Sequence, residues 1–160
     1  MLFESNAKAQ TSDYRIQAIF VSSFIKQIQW PASSSTTKKD FVIGVFSSRQ
    51  VTNILKEKLA NIKASGDRKV TIKQISSETE GHDCDILFVP ATSRVNMTTI
   101  SKEFAEKPVL IVTEKDGMLE KGSDINLTLV NNQPRFQINT SNLDKKNLKT
   151  SAYLLRLALQ

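Results

Sequence analysis

The apolar residues Ile16, Ile19, Phe20, Phe24 and Ile28 recur at helical spacing and predict a first helix. Ser12 or Asp13 can cap its start, and Pro31 disfavours helical geometry at Trp30, which ends it. Residues Ala32 to Lys39 are rich in Ser and Thr, show no period and read as a loop. The continuous run Phe41-Val42-Ile43-Gly44-Val45-Phe46 has the pattern of a strand buried on both faces. Ser47 and Gln50 stand at capping-box spacing and open a helix with Val51, Ile54, Leu55, Leu59 and Ile62 on its inner face. Gly66-Asp67 marks a turn. Val70, Ile72 and Gln74 then alternate with Thr71, Lys73 and Ile75, a half-exposed strand near a sheet edge.

Ser77 and Glu80 repeat the capping-box spacing before a single helical turn ending at Gly81. Ile86-Leu87-Phe88-Val89, closed by Pro90, is a second buried strand, and Val109-Leu110-Ile111-Val112 is a third. Asn96 to Ala105 between them predicts a helix with Met97, Ile100 and Phe104 inward. Gly117 and Gly122 bracket a small excursion carrying Met118 and Leu119. Beyond it, Ile125, Leu127 and Leu129 alternate with polar residues, as do Phe136 and Ile138. With the turn Asn131-Asn132-Gln133-Pro134 between them, these runs form a β-hairpin. A closing helix carries Leu148, Ala152, Leu155 and Leu159, its apolar face widened by Leu154, Leu157 and Ala158.

Strands alternating with helices imply a mostly parallel central sheet covered on both sides. The expected fold is α/β: a three-layer αβα sandwich of Rossmann-like type, with a C-terminal antiparallel β-hairpin and a closing helix. A chain of 160 residues is one domain, large enough to bury roughly 70% of its unfolded surface without a metal or disulfide. Residues 1–12 are expected to be a flexible N-terminal tail or the remnant of a signal sequence, and residues 13–160 the single domain. Ala7-Lys8-Ala9 has the small-x-small form of a signal-peptidase site, although no apolar stretch precedes it. No apolar run approaches the ~18 residues of a membrane span, so direct membrane insertion is not expected.

The net charge of +6 raises nucleic acid as a partner. The basic residues form no stripe, however. Lys38, Lys39, Lys56, Lys58, Lys145, Lys146 and Lys149 are scattered, with Glu57, Glu78, Glu80, Glu103, Glu106 and Asp144 among them. That is a mixed solvated surface, and no nucleic-acid-binding motif accompanies it. Cys84 is the single cysteine, so no intrachain disulfide forms.

Ligands on open α/β sheets sit outside the carboxyl ends of the strands. There the chain has Ser47-Ser48-Arg49, Ala91-Thr92-Ser93-Arg94 and Thr113-Glu114-Lys115-Asp116. A dinucleotide-binding or phosphate-binding glycine loop is absent, since no glycine follows Gly44 until Gly66. A phosphoacceptor would need acidic residues where Ser47-Ser48 and Pro90-Ala91 stand. His82 is the single histidine, and any hydrolytic triad must use it. Placed on one strand, His82 and Cys84 would face the same way; the alternative is an exposed turn histidine beside a core cysteine. One His, one Cys and Asp83/Asp85 do not make a closed metal-ligand set. No cofactor, no metal and no catalysis are expected. Arg49 and Arg94, with Ser48, Ser93 and Glu114, are the candidate ligand-binding residues, suited to a carboxylate or phosphate. Solvated loop arginines and helix-capping serines are the alternative. Trp30 either is a recognition aromatic or packs across the end of the sheet.

Several segments together resemble the YfiR/HmsC family. They are Tyr14, Ala18, Phe20 and Phe24 followed by Trp30-Pro31, then Phe41-Val42-Ile43-Gly44-Val45 and Cys84-Asp85-Ile86-Leu87-Phe88-Val89. Pro108-Val109-Leu110 leading to Gly117, Gly122 with Ile125-Asn126-Leu127, and Arg135-Phe136 with Ile138-Asn139 continue the series. Ser151, Leu154-Leu155, Leu157 and Ala158 close it. The resemblance runs from Tyr14 to the C-terminus. It implies a periplasmic, non-enzymatic regulator, exported through a signal sequence that is absent or truncated here. Such a protein represses a membrane signalling enzyme of diguanylate cyclase type by binding its periplasmic sensory domain, and so affects cyclic di-GMP and biofilm formation. The resemblance also allows a homodimer. Family members can carry cysteine pairs tied to envelope redox state; a single Cys84 departs from that. The competing reading is a small-molecule sensor, or a solute-binding accessory protein feeding a histidine kinase.

Overall fold

The computed structural model describes residues 2–32 and 40–159, with side chains from Tyr14 onward. Helix α1 spans Leu2–Gln27 and leads into the two-residue strand β1, Ile28–Gln29. The expected start at Ser12 or Asp13 is corrected: both lie inside α1. Residues 33–39 of the Ser/Thr loop, with Lys38 and Lys39, lie outside the described residues.

Strand β2 (Phe41–Phe46) is followed by α2 (Arg49–Lys58), β3 (Lys63–Ala64) and β4 (Arg68–Ile75). The single turn α3 (Glu78–Gly81), β5 (Ile86–Val89), α4 (Met97–Glu103) and β6 (Leu110–Thr113) come next. The hairpin β7 (Ile125–Val130) and β8 (Gln133–Ile138) precedes α5 (Thr140–Lys145), β9 (Lys149–Thr150) and α6 (Ala152–Leu157). The main sheet has the order β3-β4-β2-β5-β6-β7-β8, and β1 pairs with β9 apart from it. Strands β4, β2, β5, β6 and β7 run parallel, and β3 and β8 add antiparallel edges.

The pleat sends alternate residues to the two faces. Ile43, Val45, Ile86, Phe88, Leu110 and Val112 face the layer of α1, α2 and α6, where Phe24, Leu55 and Leu154 meet them. Phe46, Leu87, Val89 and Ile111 face the layer of α3 and α4, under Met97, Ile100 and Phe104. The three-layer expectation therefore holds, as do the buried inner strands. Gly44 sits in β2 where a Cβ would come within 2.7 Å of Cys84 Sγ and 3.0 Å of Ile75 Cδ1. Glycine there is what lets Cys84 enter the second layer.

Three local expectations change. Ser48, not Ser47, caps α2: its Oγ accepts from Val51 N at 3.2 Å, while Ser47 takes φ 50. Shifting the cap by one residue leaves the apolar face unchanged, since Val51 and Leu55 remain buried. The hairpin turn is Asn131-Asn132 alone, both at positive φ, with Val130 opposite Gln133 and Pro134 already inside β8. The closing helix is split. Leu148 lies in the link between α5 and β9, Ser151 caps α6, and the buried pair is Leu154 and Ala158 rather than Ala152 and Leu159. The short pieces β1, β3, β9 and α5 are too small to show a period. Trp30 is buried and packs edge-on against Phe41, 4.9 Å between centroids, so it closes one end of the sheet.

Candidate functional site

From β2 the chain crosses to β4 on one side and then to β5 on the other, so the order reverses between β2 and β5. Such a reversal opens a crevice at the carboxyl ends of the strands. Three concavities open there. One of about 530 Å³ lies at the reversal itself, edged by Ser47, Ser76, Glu78, Thr92 and Arg94. A second, of about 430 Å³, sits over the ends of β5 and β6 on the α4 side and contains Ser93, Arg94, Lys115 and Lys121. A third, of about 290 Å³, lies on the α1 side between Tyr14, Phe20, Glu114, Asp116 and Arg135.

The five candidate ligand residues do not form one constellation. Ser93 and Arg94 come together in the second concavity. Glu114 turns to the opposite side, where its Oε1 accepts from Ala91 N at 2.7 Å and braces the loop after β5 against the loop after β6. Ser48 is occupied as the cap of α2, and Arg49 is the exposed first residue of that helix. Arg49 lines none of the three concavities. Lys115 and Lys121, which pattern reasoning missed, stand in the second one beside Arg94. Lys115 lies in the strand-end tetrapeptide, but Lys121 reaches the site only through the turn between the two glycines.

That turn is well braced. Met118 N donates to Lys115 O at 3.3 Å, and Met118 O accepts from Lys121 N at 3.0 Å and Ser123 N at 3.1 Å. Gly117 and Gly122 take φ 82 and φ 105, conformations that favour glycine. At Gly122 a Cβ would run into the Ser101 side chain of α4, so the turn and that helix touch. Below it lies a buried polar network. Thr113 Oγ1 bonds Ser123 Oγ at 2.8 Å and Asn126 Oδ1 at 2.7 Å. Asp124 Oδ2 accepts from Ile111 N at 2.8 Å and from Lys146 Nζ at 2.6 Å, and Lys146 Nζ also donates to Val109 O at 2.9 Å. Both charged residues are buried. Burial pushes the Asp124 carboxyl up against the opposing pull of Lys146 and Ile111 N–H, and pushes the Lys146 ammonium down.

The histidine and the cysteine do not meet as a pair. Cys84 is fully buried, with Sγ 3.8 Å from Glu80 O. His82 is exposed in the turn between α3 and β5, with Nε2 2.6 Å from Glu103 Oε1 and its ring against Phe104. Lys107 first, and His82 after it, hold the Glu103 carboxyl below its usual range. The same-face geometry required of a Cys/His pair is overturned because His82 and Asp83 form a turn, not a strand. Among the described residues no group of three or more His, Cys, Asp or Glu is placed to hold a metal ion. No helix among them is long and apolar enough to cross a membrane.

Residues 14–159 match the family described as DUF4154, YfiR/HmsC-like. No curated protein matches the chain.

Proposed function

The chain belongs to the YfiR/HmsC-like family, and from that premise we propose that it is a periplasmic binding protein that restrains a membrane signalling enzyme. The target is of diguanylate cyclase type, and the contact is with its periplasmic sensory domain. Bound, the regulator keeps cyclic di-GMP low; released, it lets the second messenger rise and favours biofilm. Residues 13–160 are the regulatory domain.

The observation that carries this reading is the family match, which takes in every strand of the main sheet and both helical layers. The strand ends support a role in binding. They present serines, threonines and charged side chains around concavities, and Cys84 is sealed in the core away from His82. The test is capture from the native cell envelope: tagged protein, mild cross-linking, detergent extraction and mass spectrometry. The expected result is enrichment of one membrane protein that joins a periplasmic sensory domain to a cytoplasmic cyclase. Recovery of the tagged chain alone, or from the cytoplasm, contradicts the proposal.

A further inference from the structure

We propose that the concavity over the ends of β5 and β6 binds a small organic anion, gripped at its phosphate or carboxylate group by Arg94, Lys115 and Lys121. The three cations come from different segments: the loop after β5, the loop after β6, and the turn before β7. No Asp or Glu lines the same concavity, although the chain carries 16 of them. Three exposed cations around one concavity with no carboxylate among its lining residues give it a positive field that favours an anion.

Two further features point the same way. Among the described residues the Ser93 hydroxyl is buried in the wall and makes no hydrogen bond, which leaves it a donor for an anion oxygen. The rest of the wall mixes Asn96, Thr98 and Thr113 with Val89, Val95, Met97 and Met118, the latter four available to a carbon skeleton. A volume of about 430 Å³ suits a metabolite-sized ligand. The cation-bearing loops are held in advance, by Glu114 bonded to Ala91 N and by Met118 O accepting two backbone N–H groups. Binding then orders little that is not already ordered.

This assignment stands apart from the membrane partner, so either can fail without the other. It is tested on the purified full chain by thermal unfolding at fixed ionic strength, titrating glycerol 3-phosphate and citrate separately against sodium chloride. The expected result is a saturable rise in Tm with at least one of the two, as binding to the native state alone requires. Saturation by glycerol 3-phosphate alone assigns phosphate as the recognised group; saturation by citrate alone assigns carboxylate. Lys115→Met/Lys121→Met removes two exposed cations and is expected to weaken the binding by about tenfold or more. Lys56→Met/Lys58→Met removes the same charge from the exposed end of α2 and is expected to leave it intact. No saturable rise with either anion, or equal weakening in both double variants, overturns the proposal.

Discussion

Gly44 and Cys84 share a space that holds one side chain. The 2.7 Å approach of a notional Cβ to Cys84 Sγ is too close for ordinary contact. Gly44→Ala is expected to destabilise the chain by about 1–3 kcal/mol, read from denaturant unfolding, and Cys84→Ala in the same chain to recover part of that loss. Equal stability of Gly44→Ala and the parent would contradict this packing. The Asp124–Lys146 pair makes a second demand. Lys146→Met leaves a buried carboxyl without its counter-charge, its desolvation opposed mainly by the Ile111 N–H, at an expected cost of about 3–5 kcal/mol. The cost should depend on pH. With the folded-state pKa raised above the unfolded value of about 4, the native state holds the proton more tightly. Stability of that variant is therefore greatest below about pH 4, falls as pH rises through the folded-state pKa, and then levels off. Asp124→Asn/Lys146→Met should lose most of the pH dependence, measured by unfolding across pH.

At the scale of elements, sequence pattern and structure agree where an element is long or continuously apolar. The runs from Phe41 and Ile86 fixed two inner strands because only a strand buried on both faces keeps every residue apolar. The hairpin is legible from alternation, but the pattern suggests a four-residue turn because Pro134 looks like a turn former. In the sheet Pro134 lies opposite Leu129 on the edge strand β8, where proline is tolerated. The two asparagines alone take positive φ, as in the turns that suit strand twist. Asn132→Gly is expected to preserve or raise Tm. Asn131→Val/Asn132→Val is expected to cost about 2 kcal/mol or more, since branched residues resist that conformation. Unchanged stability in the valine variant would refute the turn assignment. The closing helix was misphased because Leu154, Leu155, Leu157, Ala158 and Leu159 offer apolar residues on every side. Only packing shows that Leu154 and Ala158 point inward while Tyr153 and Leu157 stand exposed.

At the scale of the whole molecule, the family and the layered α/β fold were legible from residues spread along the chain. The candidate site was legible only in part. Rules about strand ends located Ser93, Arg94 and Glu114, but they could not say which side of the sheet each loop residue takes. Glu114 went to one side as a brace, Arg94 to the other, and Lys121 joined Arg94 across a glycine-bounded turn. The Asp124–Lys146 pair was hidden for a similar reason. Its lysine lies just beyond α5, a helix too short to show a period. The proposed restraint of a cyclase from outside the membrane can be read in living cells. Its most direct measurement is cyclic di-GMP in native cells with the chain deleted, then with it restored behind an export signal. A rise on deletion and a return to the parental level on restoration are expected. An unchanged level in the deletion strain, or full restoration by a form kept in the cytoplasm, would contradict it.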